Sequence, residues 1–194
     1  MKRLTSVDLN TPEYYQKYWS DPANARYDRV RLMVAIDKVK EGDKVLDVGA
    51  GVCSWVEYCA LNNLRPGTEL HAIDFSSRAK EQVDAKKLNL TYHVGSALQL
   101  PFPDKSFDVV GCMETIEHMQ NPADLARELA RVTKPDGWVV LTTVNNHCEQ
   151  AQLLDYPEHL WEFTPEDLVG LFSPYGDARY RVVGNYHTLS CWRK

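Results

Sequence analysis

The sequence predicts an α/β fold: a doubly wound, mostly parallel seven-stranded sheet that ends in an antiparallel C-terminal hairpin. Three observations carry this expectation. Short apolar runs alternate with helical stretches through the middle of the chain. The runs are apolar on both faces, as strands buried between two helical layers must be. The tail then breaks the alternation, with two strand-like runs around Gly184-Asn185, a pair suited to a two-residue turn.

The elements follow in order. Thr11-Pro12 reads as a helix start, Thr11 as N-cap and Pro12 at the first helical position. The segment 13–20 carries Tyr14, Tyr15, Tyr18 and Trp19. A second helix is expected over 25–39, where Val30, Met33, Val34 and Ile36 form an apolar stripe. Strands are expected at 44–48, 69–74, 90–94, 107–112 and 138–144, with helices at 54–63, 76–88, 121–134 and 164–172 between and after them. Asn121-Pro122 opens the third of these helices, and Lys134-Pro135-Asp136-Gly137 closes it with a turn before the next strand. Thr164-Pro165 opens the last, with Asp167 at the position where a capping box places Glu or Gln. The hairpin strands are 178–183 and 186–192. Right-handed crossovers make such an order doubly wound. One domain over 1–194 is expected, with 1–40 a helical lid segment and 41–194 the core.

Composition narrows the function classes. Of 194 residues, 44% are hydrophobic and 25% charged, an ordinary globular mix that supports one sizeable core. Twenty-two Lys plus Arg against 27 Asp plus Glu leave a net charge of −5. That balance argues against a duplex-DNA or anionic-membrane binder, which needs clustered cations. No apolar run approaches the ~20 residues of a membrane span, and the first eight residues lack the apolar core of a secretory leader. The five Cys include no Cys-x-x-Cys pair, so free thiols in a reducing cytoplasm are expected rather than a disulfide framework or zinc cluster.

The strongest chemical signal is Val45-Leu46-Asp47-Val48-Gly49-Ala50-Gly51, a buried strand running into a Gly-rich turn and then a helix. In open α/β sheets ligands bind beyond the carboxyl ends of the strands, where the topology switches. Gly49 and Gly51 let backbone approach a ligand closely. Asp74 ends the next strand, 23 residues after Gly51, where a carboxylate can accept both hydroxyls of a ribose. A dinucleotide site wants a third Gly, which Gly49-Ala50-Gly51-Val52-Cys53-Ser54 lacks. Asp47 beside the turn repels a pyrophosphate and suits an ammonium group, which favours S-adenosylmethionine over NAD.

On these residues the chain resembles the class I S-adenosylmethionine-dependent methyltransferases, over about 25–194. In motif style it is most similar to the small-molecule enzymes of ubiquinone biosynthesis. The resemblance implies a Rossmann-like fold and S-adenosyl-L-methionine as cofactor. It places the methionine part against Asp47, Gly49 and Gly51, the ribose on Asp74, and adenine against Phe75, Ser96, Ala97 and Leu98. Ser96 stands where relatives often carry an Asp that touches the adenine amino group, so that contact is weaker here or made by backbone. Residues 129–143 look like the strand-five motif, with Asp136-Gly137 in place of Gly-Gly.

The fourth expected strand runs into Cys112-Met113-Glu114-Thr115-Ile116-Glu117-His118. The resemblance sets Met113 and this segment beside the transferable methyl. Glu114, Glu117 and His118 are spaced i, i+3, i+4, so one helical turn would present all three. His159 follows in the loop before the last helix. These four residues are the catalytic candidates. They form either a mixed O/N divalent-metal site, as in the ubiquinone-pathway and small-RNA 2′-O-methyltransferases, or a metal-free pocket, which is the favoured reading. Without metal, His118 is a general base or a pocket wall bonded to a carboxylate. The aromatic segment has two readings: a lid in which Tyr18 and its neighbours close over the cofactor, or a helix packed on the sheet edge. Arg26, Tyr27 and Arg29 either reach a carboxylate or form a solvated face. Cys53 is an oxidation-sensitive thiol or a small buried hydrophobe.

The expected activity is methyl transfer to a small-molecule acceptor, with a hydroxyl oxygen favoured, because 145–150 is a polar run and no substrate domain is added. An RNA or protein acceptor is the second choice, discouraged by the acidity and the lack of a basic stripe. A non-catalytic cofactor-binding protein and a nicotinamide oxidoreductase are the competing classes. No DNA partner is expected; the protein is a monomer or homodimer in the cytoplasm.

Overall fold

The computed structural model describes residues 1–21, 24, 29–52, 54–62, 64–145, 157–183 and 186–193, with 29–31, 186–188 and 190 described by backbone alone. The central sheet contains β2 (Lys44–Val48), β3 (Glu69–Asp74), β4 (Thr91–Val94), β5 (Phe107–Met113), β6 (Thr133–Val144), β8 (Gly176–Val183) and β9 (Tyr186–Arg193). Their order is β4-β3-β2-β5-β6-β9-β8. β4 through β6 pair in parallel, and β9 joins β6 and β8 antiparallel. This is the Rossmann-like arrangement that the alternation predicts. The order reverses between β2 and β5, so a crevice opens at their carboxyl ends.

Both faces of the sheet are covered. On one face Val45, Ala72, Val109 and Val140 pack with Val34 and Ile36 of α2 (Arg29–Ile36), with Trp55 and Val56 of α3 (Trp55–Leu61), and with Ala79 and Val83 of α4 (Ser77–Asp84). On the other face Leu46, Ile73, Val110 and Leu141 pack with Leu125 and Leu129 of α5 (Pro122–Val132). Leu168 and Phe172 of α6 (Pro165–Phe172) complete that layer. Each Val, Leu, Ile or Phe side chain among these, fully removed from water, contributes about 1.5–3 kcal/mol. β5 accommodates Trp55 only because residue 111 is Gly: a Cβ there would lie 2.3 Å from the indole Nε1.

Local chemistry sets the helix starts. Thr11 accepts from the Tyr14 amide and opens α1 (Pro12–Tyr18). Asn121 accepts from the Ala123 amide, and Thr164 and Asp167 form a reciprocal capping box. Ser54 and Ser76 cap α3 and α4. The turn expected at 134–137 instead bulges within β6. Thr133 already pairs with Phe107, and Trp138 resumes opposite Val109. Gly137 is required there, since a Cβ would meet the Asp108 carbonyl at 2.7 Å. The Gly184-Asn185 turn lies outside the described residues.

A two-stranded antiparallel sheet, β1 (Lys2–Arg3) with β7 (Trp161–Glu162), is an addition that the sequence did not announce. Arg131 of α5 braces the loop after β4. It donates to the carbonyls of Leu100 (3.0 Å) and Phe102 (2.8 Å), while Glu128 accepts from the Leu100 amide (2.8 Å). Among the described residues no helix is long and apolar enough to cross a membrane, and the described cysteines Cys59, Cys112 and Cys191 are free and buried. Cys53 and Cys148 lie outside the described residues.

Candidate active site

A cleft with a cavity volume of about 380 Å³ opens beyond the carboxyl ends of β2, β3 and β5. Its floor is the Gly turn. Gly49 and Gly51 have φ of 73° and 54°, which only Gly adopts readily. A Cβ on Gly49 would meet the Thr115 hydroxyl at 2.2 Å, so the turn is also closely packed. The amides of Gly49 and Ala50 donate to the Ile73 carbonyl at 2.9 and 3.1 Å. The Asp74 carboxylate accepts from the Gly51 amide (3.1 Å) and the Ser76 amide (2.9 Å). The Tyr92 hydroxyl donates to the Gly51 carbonyl at 2.7 Å, which fixes that peptide from its other side. Asp47 accepts from the Trp55 amide at 3.1 Å. Burial raises the Asp74 carboxyl to about 6, against the lowering effect of its amide donors.

Most of the residues expected around a nucleoside meet here. Asp47, Gly49 and Met113 line the inner wall; Asp74 and Phe75 lie at the end of β3; Ser96, Ala97 and Leu98 border the far side; Tyr18 lies at the mouth. Gly51 is covered, because the Trp19 ring lies where its Cβ would be, at 2.3 Å. The aromatic segment is therefore not a sheet-edge helix. Gln16 of α1 donates to Ser77 at 2.8 Å, and the Trp19 carbonyl accepts from Gln82, so α1 is tied to α4 beside the cleft mouth. Tyr15 packs on Phe75 with ring centroids 5.3 Å apart.

The other half of the cleft carries the second group of candidates. Glu114 has φ of 50° and donates its amide to the Thr142 carbonyl at 3.0 Å. A short 3₁₀ turn, Ile116–His118, begins only afterwards. The expected single helical turn presenting Glu114, Glu117 and His118 together is thus corrected: the left-handed backbone at Glu114 breaks it. Glu114 lines the cleft, while Glu117 lies behind it, 1% exposed. Glu117, His118 and His159 converge, with ligand atoms all within 4.8 Å of one another. Glu114 stands outside that group. One carboxylate and two imidazoles suit a divalent cation of borderline softness, so these three fit a metal.

The tautomer of His118 follows from its partners. Its Nδ1 lies 3.2 Å from the Glu158 carbonyl, which can only accept. Nδ1 therefore carries the proton, and Nε2 keeps a free lone pair. Burial lowers His118 to about 4, against the raising effect of the Glu158 carbonyl and Asp8. Burial, then the neighbouring His118, lowers His159 to about 3. The rings meet edge to face with centroids 4.8 Å apart.

Sequence reasoning missed the residues that close this end. Asn10 donates to the Glu158 carbonyl at 2.9 Å and accepts from the Tyr15 hydroxyl at 3.1 Å. Asp8 accepts from Gln120. Asp8, Asn10, Thr115 and Glu158 all line the cleft. Their assembly depends on contacts between residues about 150 apart in the chain, for which no local pattern exists. Arg26, Tyr27 and 146–150 lie outside the described residues, as does the side chain of Arg29.

Residues 46–141 match the methyltransferase domain family. An uncharacterized methyltransferase of Schizosaccharomyces pombe is 33% identical over 132 residues, covering 62% of this chain and 45% of its own. A ubiquinone biosynthesis O-methyltransferase of Albidiferax ferrireducens is 39% identical over 111 residues, covering 54% and 42%. The chain thus spans about half the length of the curated relatives it matches. An S-adenosylmethionine-dependent methyltransferase from Aquifex aeolicus superposes with a TM-score of 0.70 at 20% identity, covering 94% of this chain and 97% of that one. At that identity the likeness is one of fold.

The low imidazole values set an acid limit on stability. Folded His118 and His159 stay neutral down to about 4 and 3, whereas in the unfolded chain both protonate near the ordinary 6.5. The unfolded state binds more protons through that window, so stability falls as pH drops from about 6.5 to 4. Asp74, raised to about 6, contributes the opposite slope below that value. Urea denaturation in chelator at about pH 7, 5.5 and 4.5 is expected to show His118→Asn with a shallower acid decline than the parent; identical slopes would contradict the burial of a neutral His118.

Proposed function

Because residues 46–141 place this chain in the methyltransferase domain family, we propose that it transfers a methyl group from S-adenosylmethionine to a small-molecule acceptor, at a hydroxyl oxygen. The observation that carries this reading is the Gly turn locked to the buried Asp74 carboxylate beyond the strand ends. Gly49, which lines the cleft with left-handed backbone, and the Asp74 carboxylate facing the cleft fit a nucleoside bearing an amino-acid arm.

In this reading Asp74 accepts from the ribose hydroxyls. Asp47 and the Gly turn hold the amino-acid end. Phe75 and 96–98 border adenine, and Met113 and Tyr18 flank the reacting end. The cofactor supplies an electrophilic methyl on a sulfonium, so the protein's task is largely to align the acceptor for in-line displacement. The segment 1–40 acts as the lid over the core. Among the described residues the cleft is lined by Asp8, Asp47, Asp74, Glu114 and Glu158 and by no Lys or Arg. That charge disfavours a phosphate-rich acceptor, supporting a small molecule over RNA.

At the acceptor end, the Nε2 lone pair of His118 receives a hydrogen bond from the acceptor hydroxyl, with Glu114 and His159 beside it. A group held near 4 is a weak base at neutral pH. Orientation of the oxygen is therefore its main contribution. The convergence of Glu117, His118 and His159 favours a second reading. There they would hold a divalent ion, which would supply Lewis acidity to lower the pKa of the acceptor hydroxyl.

Two measurements test these assignments. Asp74→Ala is expected to weaken S-adenosylhomocysteine binding by about 1–3 kcal/mol through loss of charge-assisted hydrogen bonds; unchanged affinity by calorimetry removes the ribose assignment. In an acceptor screen read by S-adenosylhomocysteine release, turnover that persists in excess chelator is expected from the metal-free site. Loss of activity there, restored by Mg²⁺ or Zn²⁺, selects the metal reading.

A further inference from the structure

The amino-acid arm of the cofactor ends in a carboxylate, yet the described cleft lining offers five carboxylate side chains and no Lys or Arg. Among the described lining residues, the groups able to meet it are neutral donors. Two indole N–H groups near the cleft, those of Trp19 and Trp55, are buried without a hydrogen-bond partner. Their settings differ. Trp55 also lines the cleft, but it is fully buried and its Nε1 faces Gly111 within the sheet, 2.3 Å from where a Cβ would lie. Trp19 lines the cleft and lies over Gly51 of the cofactor turn.

The placement of Trp19 is set from several sides. Its amide donates to the Tyr15 carbonyl at 3.0 Å, and its carbonyl accepts from Gln82. The Tyr18 ring meets it edge-on, with centroids 4.8 Å apart. A buried donor left unpaired is destabilising, so an arrangement that holds one against a binding turn is relieved when an acceptor arrives. Resting on the cofactor reading above, we propose that the Trp19 indole N–H donates to the α-carboxylate of the cofactor's amino-acid arm. Trp19 is then a direct binding residue that reads the amino-acid end, in addition to packing on the Gly turn. The donor belongs to the lid segment, so capture of the carboxylate also draws α1 onto the cofactor.

The test compares two nucleosides on the full chain. S-adenosylhomocysteine carries the carboxylate; 5′-deoxy-5′-methylthioadenosine does not. Trp19→Phe keeps an aromatic ring beside Gly51 while removing the donor and one ring of the indole. By calorimetry it is expected to bind S-adenosylhomocysteine about tenfold more weakly, an ordinary loss for one hydrogen bond to a charged group, and to bind methylthioadenosine as the parent does. Equal weakening toward both nucleosides, or no weakening toward either, overturns the proposal. A measurement on the unsubstituted protein guards against a fold defect: the Trp19 indole proton should move downfield in the NMR spectrum on adding S-adenosylhomocysteine and not on adding methylthioadenosine. Failure of that proton to move while S-adenosylhomocysteine binds also overturns it. If the parent binds neither nucleoside, the cofactor reading falls together with this one.

Discussion

One buried carboxylate organises the end of the cleft that holds the Gly turn. Asp74 ends β3 and accepts at once from the amide of Gly51, in the turn after β2, and from the amide of Ser76, which caps α4. The turn after β2 and the junction of β3 with α4, 23 residues apart, are thereby held in one geometry. The Gly turn and the start of α4 share its hydrogen bonds, and α1 docks on that same α4 through Gln16 and Gln82. An unpaired buried charge would be prohibitive; burial raises the carboxyl, and the amides of Ser76, Gly51 and Phe75 hold that rise to about 6. Lone pairs remain on both oxygens for a further donor. A ribose diol supplies two.

The end of the cleft around His118 and His159 follows a different logic. Its histidines are neutral because they are buried, and each is held by partners that dictate its tautomer or its charge. The Glu158 carbonyl fixes the proton on Nδ1 of His118, and His118 in turn depresses His159. Residues from both ends of the chain build the enclosure, since Asn10 and Tyr15 reach across to Glu158 and His118. The leucine amide at 160 donates to the Glu117 carbonyl at 2.8 Å, which ties the His159 segment to the 3₁₀ turn.

The central fold was legible because its signals are local. Two-sided apolar runs, Thr11, Asn121 and Thr164 as caps, and the Gly49–Gly51 turn each state their structure within a few residues. That most residues expected around a nucleoside would share one cleft was legible for the same reason: in a parallel sheet they sit at strand ends, which hydrophobic periodicity locates. What escaped depends on distant pairing or on backbone geometry. The pairing of Lys2–Arg3 with Trp161–Glu162 has no signature in either segment. The i, i+3, i+4 spacing of Glu114, Glu117 and His118 suggested one helical face, but the strand continues to Met113 and Glu114 turns left-handed, so spacing did not translate into a shared surface. Trp19 over Gly51 was equally hidden, since an aromatic-rich helix says nothing about which turn it covers.

The central claim is that the Asp74 carboxylate receives the sugar of an adenosyl cofactor, and proton linkage tests it most directly. Donation by two hydroxyls favours the ionised form, so binding must expel the proton that a group near 6 still carries. Calorimetry of S-adenosylhomocysteine binding in buffers of different ionisation enthalpy should therefore show release of about half a proton at pH ~6 and close to none at pH ~8. Binding without proton release at the lower pH, or with uptake, would contradict the account.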